Sequence, residues 1–140
     1  MRRIRSTTLT AGALALAGVA ATCVALAPAA SASAQACTST TLTTGAYESQ
    51  GTIATKASSG CGDLNLTYSY NAGSRTYDEY AGRYKKSSGW VTGSKRYVLA
   101  YDGSHSVNDS KYWLVTGLSA GTQFSVASLY DGGDTVVITH

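Results

Sequence analysis

The chain has 140 residues and a formal net charge of +3, but Arg2, Arg3 and Arg5 supply that excess from its first five positions. From residue 35 onward eight bases (Lys56, Arg75, Arg83, Lys85, Lys86, Lys95, Arg96, Lys111) meet eight acids (Glu48, Asp63, Asp78, Glu79, Asp102, Asp109, Asp131, Asp134). That balance gives no electrostatic case for nucleic acid or an anionic membrane, and 106 residues suit one domain with one modest core.

The first segment reads as an address. A basic start, an apolar run from Leu9 to Ala29 and small-residue sites at 30–32 and 32–34 form the layout of a secretory signal, with cleavage expected after Ala34. Thr22 before Cys23 is bulkier than a lipoprotein site usually wants. The expected product is a secreted domain, residues 35–140, with no membrane attachment. It divides into a polar arm, 35–60, and a β-sheet portion, 61–140. Arg-led and Ala-rich, the leader resembles the export signals of actinobacterial proteins. The chain as a whole resembles their small secreted single-disulfide β-proteins, a resemblance that implies no activity.

Export leaves Cys37 and Cys61 as the remaining cysteines, and an oxidising compartment makes them a disulfide. Closing a loop of about 25 residues stabilises by roughly 3 to 3.5 kcal/mol in the chain-entropy picture. The arm it ties is rich in Thr, Ser and Gly. Within it only 52–56 suggests a short edge strand, and the rest reads as loop.

The clearest pattern lies between Cys61 and Trp90. Leu64, Leu66, Tyr68 and Tyr70 alternate with Asn65, Thr67 and Ser69, which predicts a strand. Asn71-Ala72-Gly73-Ser74 predicts a reversal. The return strand then places Tyr80, Gly82 and Tyr84 opposite Glu79, Ala81, Arg83 and Lys85. Further on, Tyr97, Leu99 and Tyr101 alternate with Arg96, Val98 and Ala100, and residues 112–115, apolar on both faces, suggest a central strand. A strand over 123–130, a tight turn at Asp131-Gly132-Gly133-Asp134 and a β-branched strand over 135–139 complete the chain. The expectation is all-β, with six or seven short antiparallel strands in a sandwich or partly open barrel.

Residues 118–126, Leu-Ser-Ala-Gly-Thr-Gln-Phe-Ser-Val, resemble the corner segment of fibronectin type III domains. Ala120 stands at that family's proline and Phe124 at its tyrosine, so the corner hydrogen bond cannot form. The resemblance implies a sandwich and no ligand. Trp90-Val91-Thr92-Gly93 with Tyr101-Asp102-Gly103 is echoed by residues 113–117 with 130–132, tripeptides that are common at strand ends.

Catalytic chemistry is thinly supplied. The histidines are His105, in a Ser-His-Ser turn, and His140, the last residue, where fraying is expected. A ribonuclease-like trio of Glu79, Arg83 and His105 lacks any local motif. The aspartates at 131 and 134 match no EF-hand spacing, so no metal and no cofactor are expected.

Aromatics are the one excess, with ten Tyr and two Trp against a single Phe. Tyrosine keeps a hydroxyl at the end of an apolar ring, which suits cross-strand packing and also a platform for sugars or a protein partner. The candidate face is Tyr68, Tyr80, Gly82, Tyr84 and Trp90, with the glycine allowing close approach. The candidate loop, Asp102 to Ser110, carries Asp102, His105 and Asp109. A non-enzymatic extracellular binding module ranks first, taking polysaccharide, cell wall or a protein. A surface-assembly protein or protease inhibitor follows, and a small hydrolase comes last.

Overall fold

The computed structural model describes residues 37–57, 60–107 and 109–140, so the expected leader lies outside the described residues. Ten strands follow in chain order: β1 (Ser39–Thr43), β2 (Ala54–Thr55), β3 (Leu64–Tyr70), β4 (Tyr77–Lys86), β5 (Gly89–Thr92), β6 (Val98–Tyr101), β7 (Gly103–Ser104), β8 (Trp113–Val115), β9 (Gln123–Ser128) and β10 (Thr135–Thr139). A 3₁₀ turn at Ser110–Tyr112, capped by Asp109, is the only helical element among the described residues.

The strands form two five-stranded antiparallel sheets, with no closed barrel. In the first, β3 pairs with β10 on one side and with β7 and β8 on the other, while β1 extends the sheet beyond β10. In the second, β4 is central. β9 and then β2 lie on one side, and β6 and β5 follow one another along its other edge. Leu42, Leu64, Leu66, Tyr80, Leu114, Phe124, Val126, Val136 and Ile138 fill the space between the sheets. Each large apolar side chain buried there stabilises by about 1.5–3 kcal/mol. The Cys37–Cys61 disulfide closes the arm onto the start of β3, with Cα atoms 5.6 Å apart.

The arm is more than a tethered loop. Five consecutive β1 residues pair with β10, and Leu42 enters the core. The chain then crosses to the other sheet, where Gly45 bridges to Ala127 and β2 pairs with β9. Ser-Thr-Thr-Leu-Thr has one large apolar residue, so its pairing comes from the β10 partner and not from its own hydrophobic pattern.

β3 departs from simple alternation. Leu66 pairs with Ile138 and Tyr68 with Val137, leaving Thr67 as the extra residue of a β-bulge. The bulge reverses the pleat, so Leu64 and Leu66 face the core while exposed Tyr70 leaves it and Ser69 turns in. The four residues therefore do not share one face. β8 is likewise an edge strand and not central, because it pairs with β3 alone. A second irregularity buries both Leu114 and Val115.

Candidate functional site

Two of the exposed tyrosines, Tyr47 and Tyr101, lie in one row of aromatic side chains on the outer face of the β4–β9 sheet. On β6 and the residue before it, Tyr97, Leu99 and Tyr101 share one face, as their spacing in the sequence predicts, and because Val98 and Ala100 pack inward that face is the outer one. β6 registers Leu99 opposite Glu79 and Tyr101 opposite Tyr77. The Tyr77 and Tyr101 rings meet at 5.7 Å and 53°. At the other end Tyr47, from the turn after β1, stacks on Tyr97 at 5.3 Å and 16°. Tyr101 is 58% exposed, Tyr47 53% and Leu99 38%. Four residues of strand separate Tyr97 from Tyr101, about 13 Å. The result is a strip of two tyrosine pairs with one leucine between them.

An ion pair between buried Arg83 and exposed Glu48 fixes one end of this strip. Glu48, at φ 54°, donates its backbone N–H to the Tyr97 hydroxyl at 2.9 Å. Its carboxylate accepts from Arg83 Nη1 at 2.5 Å and from Thr92 Oγ1 at 2.8 Å. The Thr92 bond, with Arg83 beside it, holds the Glu48 carboxyl below the usual carboxylate range. The Gln50 amide oxygen, turned toward Arg83, accepts from Nε and Nη2 at 3.2 and 3.3 Å. Arg83 is thus a positioning residue whose charge is satisfied on every side.

A pair of buried carboxyls fixes the other end. Asp78, the inward neighbour of Tyr77, lies beside Asp134, and both accept from Asn71 Nδ2 at 3.4 Å. Asp134 also accepts from the Ala72 N–H at 2.8 Å and from the Tyr80 hydroxyl at 3.1 Å. Burial, with Asp134 close by, pushes the Asp78 carboxyl up to about 6. Burial also drives the Tyr80 phenol well above its ordinary value. Sequence reading passed over this pair. The signal was the period of two: the inward rank of Tyr84, Gly82 and Tyr80 continues back to Asp78, an acid on a core position.

The face expected from the sequence is not assembled. Tyr80 is fully buried, and a side chain at Gly82 would meet Val115 Cγ2 at 2.6 Å and Leu114 Cβ at 3.0 Å, so the glycine admits β8 and not a ligand. Tyr84 packs partly against the core. Trp90 is half-buried on β5, with Lys85 Nζ 5.8 Å from its ring centre. Tyr68 belongs to the other sheet.

Nor do Asp102, His105 and Asp109 converge. Asp102 accepts from the Asn71 N–H at 2.8 Å, and Asp109 caps the 3₁₀ turn through the Lys111 N–H at 2.9 Å. His105 stacks on Tyr112 at 4.2 Å and bonds Ser69 Oγ through Nε2 at 2.9 Å. Ser69 gives its proton to the Tyr101 carbonyl at 3.0 Å, so His105 is the donor to Ser69 and cannot draw a proton from it. Asp102 and His105 anchor the loop to the sandwich, and Asp109 shapes the turn within it.

His140 is not frayed. It is buried, its backbone exchanges two hydrogen bonds with Thr38, and its ring stands edge-on to Phe124 at 4.8 Å. Among the described residues no cluster of His, Cys, Asp or Glu is arranged to hold a metal ion. No helix of the described residues is long and apolar enough to cross a membrane.

No protein-family model matches the chain, and neither a curated protein nor a solved structure matches it.

Proposed function

We propose that this protein is a secreted, non-catalytic binding module that lays an extended polysaccharide along the tyrosine strip of Tyr47, Tyr97, Leu99, Tyr77 and Tyr101. The observation that carries this reading is the pairing of tyrosine rings at both ends of one outward row, with Tyr47 and Tyr101 the exposed member of each pair. Tyrosine offers an apolar face for a sugar ring and a hydroxyl for its polar rim. Every large side chain of the strip except Leu99 ends in a hydroxyl, and because protein interfaces are also rich in tyrosine, retention on a polysaccharide matrix is what separates this reading from a protein partner. Support for binding over hydrolysis comes from His105, whose Nε2–H is committed to Ser69.

The test is retention of the mature protein on insoluble peptidoglycan, chitin and cellulose. Tyr101→Ala and Tyr47→Ala should each reduce retention on the matrix that holds the wild type, with unchanged near-UV circular dichroism. Retention indifferent to both substitutions, or none on any matrix, removes the reading.

A further inference from the structure

The tyrosine strip carries one carboxylate that no group among the described residues engages. Of the chain's eight acids, the other seven are committed. Glu48 binds Arg83, and Asp131 lies 3.9 Å from Arg75. Asp78 and Asp134 are buried together on Asn71. Asp63, Asp102 and Asp109 each accept a backbone N–H, from Gly117, Asn71 and Lys111 respectively. The Glu79 carboxylate takes part in no ion pair and accepts no hydrogen bond among the described residues.

Glu79 stands at the middle of the strip. Its neighbours Asp78 and Tyr80 are buried, so it shares the outward face of β4 with Tyr77, about 7 Å along the strand. Across the ladder it is opposite Leu99, as Tyr77 is opposite Tyr101. The Thr76 carbonyl accepts from the Asp102 N–H at 2.9 Å, so both of these pairs are the closer, non-hydrogen-bonded kind. Cβ atoms in such a pair stand about 4.5–5.5 Å apart. The next cation along this face of β4, Arg83, is already held by Glu48, Gln50 and Thr92. Glu79 is half-buried, with Leu99 and Tyr77 as its borders. A carboxylate set among apolar groups is poorly hydrated, so it attracts an arriving cation more strongly than one on an open surface.

We infer that the polysaccharide of the strip is one with free amino groups, a hexosamine chain whose protonated amine pairs with Glu79 while its rings lie on the tyrosines. This inference rests on the strip being the binding face, and adds what the strip selects. A neutral chain meets the rings alone, and a uronic or phosphorylated chain is repelled by the carboxylate.

The experiment is an amide chemical-shift titration of the mature protein with three β-1,4-linked trimers, of glucosamine, N-acetylglucosamine and glucose. They differ only at C2, which carries an amine, an acetamide or a hydroxyl. Low salt and about pH 5.5 keep the amine protonated and the carboxylate ionised. The glucosamine trimer should shift the amides of residues 47, 77–79 and 97–101 saturably, and bind at least about threefold more tightly than the other two. Salt at about 0.5 M should erase that preference. Glu79→Gln, of unchanged melting temperature, should bind all three trimers with the affinity the wild type has for the neutral ones. Equal affinity of the wild type for all three would overturn the inference and leave the strip in place. So would a Glu79→Gln variant weakened equally toward all three, since the carboxylate would then serve sugar hydroxyls and not an amine. Amides at 47, 97, 99 and 101 that respond to none of the trimers would remove the strip itself, and this inference with it.

Discussion

Asp78 and Asp134 share one amide donor, Asn71 Nδ2, at 3.4 Å each, in the interior behind the Tyr77–Tyr101 pair. Burial, with Asp134 beside it, makes Asp78 keep its proton into mildly acidic pH. The folded Asp78 carboxyl lies at about 6, well above its value in an unfolded chain. The folded state therefore binds the extra proton, and stability falls as pH rises from about 4 through about 6.

Asp78→Asn is expected to replace that proton with a permanent donor. Denaturant midpoints at about pH 4.5 and about pH 7 should show the variant stabilised at the higher pH, by an amount on the order of 2 kcal/mol, with a flatter pH dependence. A variant less stable than wild type at both pH values would mean that Asp78 is needed as a carboxylate.

His140 gives the opposite pH dependence. Its Nδ1 accepts from the Ala57 N–H at 3.1 Å and its Nε2 faces Thr40 Oγ1 at 2.9 Å, an arrangement that requires the neutral ring. Burial, followed by the charge of Lys56, lowers its pKa from the ordinary 6.5. An unfolded chain takes up the proton first, so this contribution is lost as pH falls through 6.5 toward the folded value. Ring-proton NMR should find His140 titrating below 6.5. Replacing it with Ala should cost about 2–4 kcal/mol, since both bonds and the contact with Phe124 disappear. Titration at or above the ordinary value would contradict the buried acceptor geometry.

Gly82 separates two explanations of a bare position in a strand. The structure makes it the seat of β8, with Val115 Cγ2 2.6 Å from where a Cβ would stand. Gly82→Ala is expected to destabilise by about 1–3 kcal/mol through overpacking, read as a lower melting temperature. If Gly82→Ala left melting unchanged but weakened ligand retention, the glycine would belong to a binding face after all.

The sequence was most informative where alternation ran unbroken. Tyr97, Leu99 and Tyr101 share one face as their spacing implies, because β6 is short and its pairing with β4 is regular; that this face is the outer one came only from the packing of Val98 and Ala100. β3 misled at Thr67, since an inserted residue turns every later side chain over and a bulge leaves no compositional mark. β1 was missed because its strand character is borrowed from β10. Tyr47 and Asp134 were out of reach for another reason: they join Tyr97 and Asp78 across separations of 50 and 56 residues, which only the fold brings together.

The central claim, that the tyrosine strip is the binding face, is tested most directly by a binding isotherm on the matrix that retains the wild type. Tyr47→Ala and Tyr101→Ala should each weaken affinity about tenfold, ~1.4 kcal/mol. Tyr70→Ala is the control, removing an equally exposed ring from the other sheet, and should leave the isotherm unchanged. Loss of affinity in Tyr70→Ala, with Tyr47→Ala and Tyr101→Ala binding like wild type, would contradict the account and move the binding face to the opposite side of the sandwich.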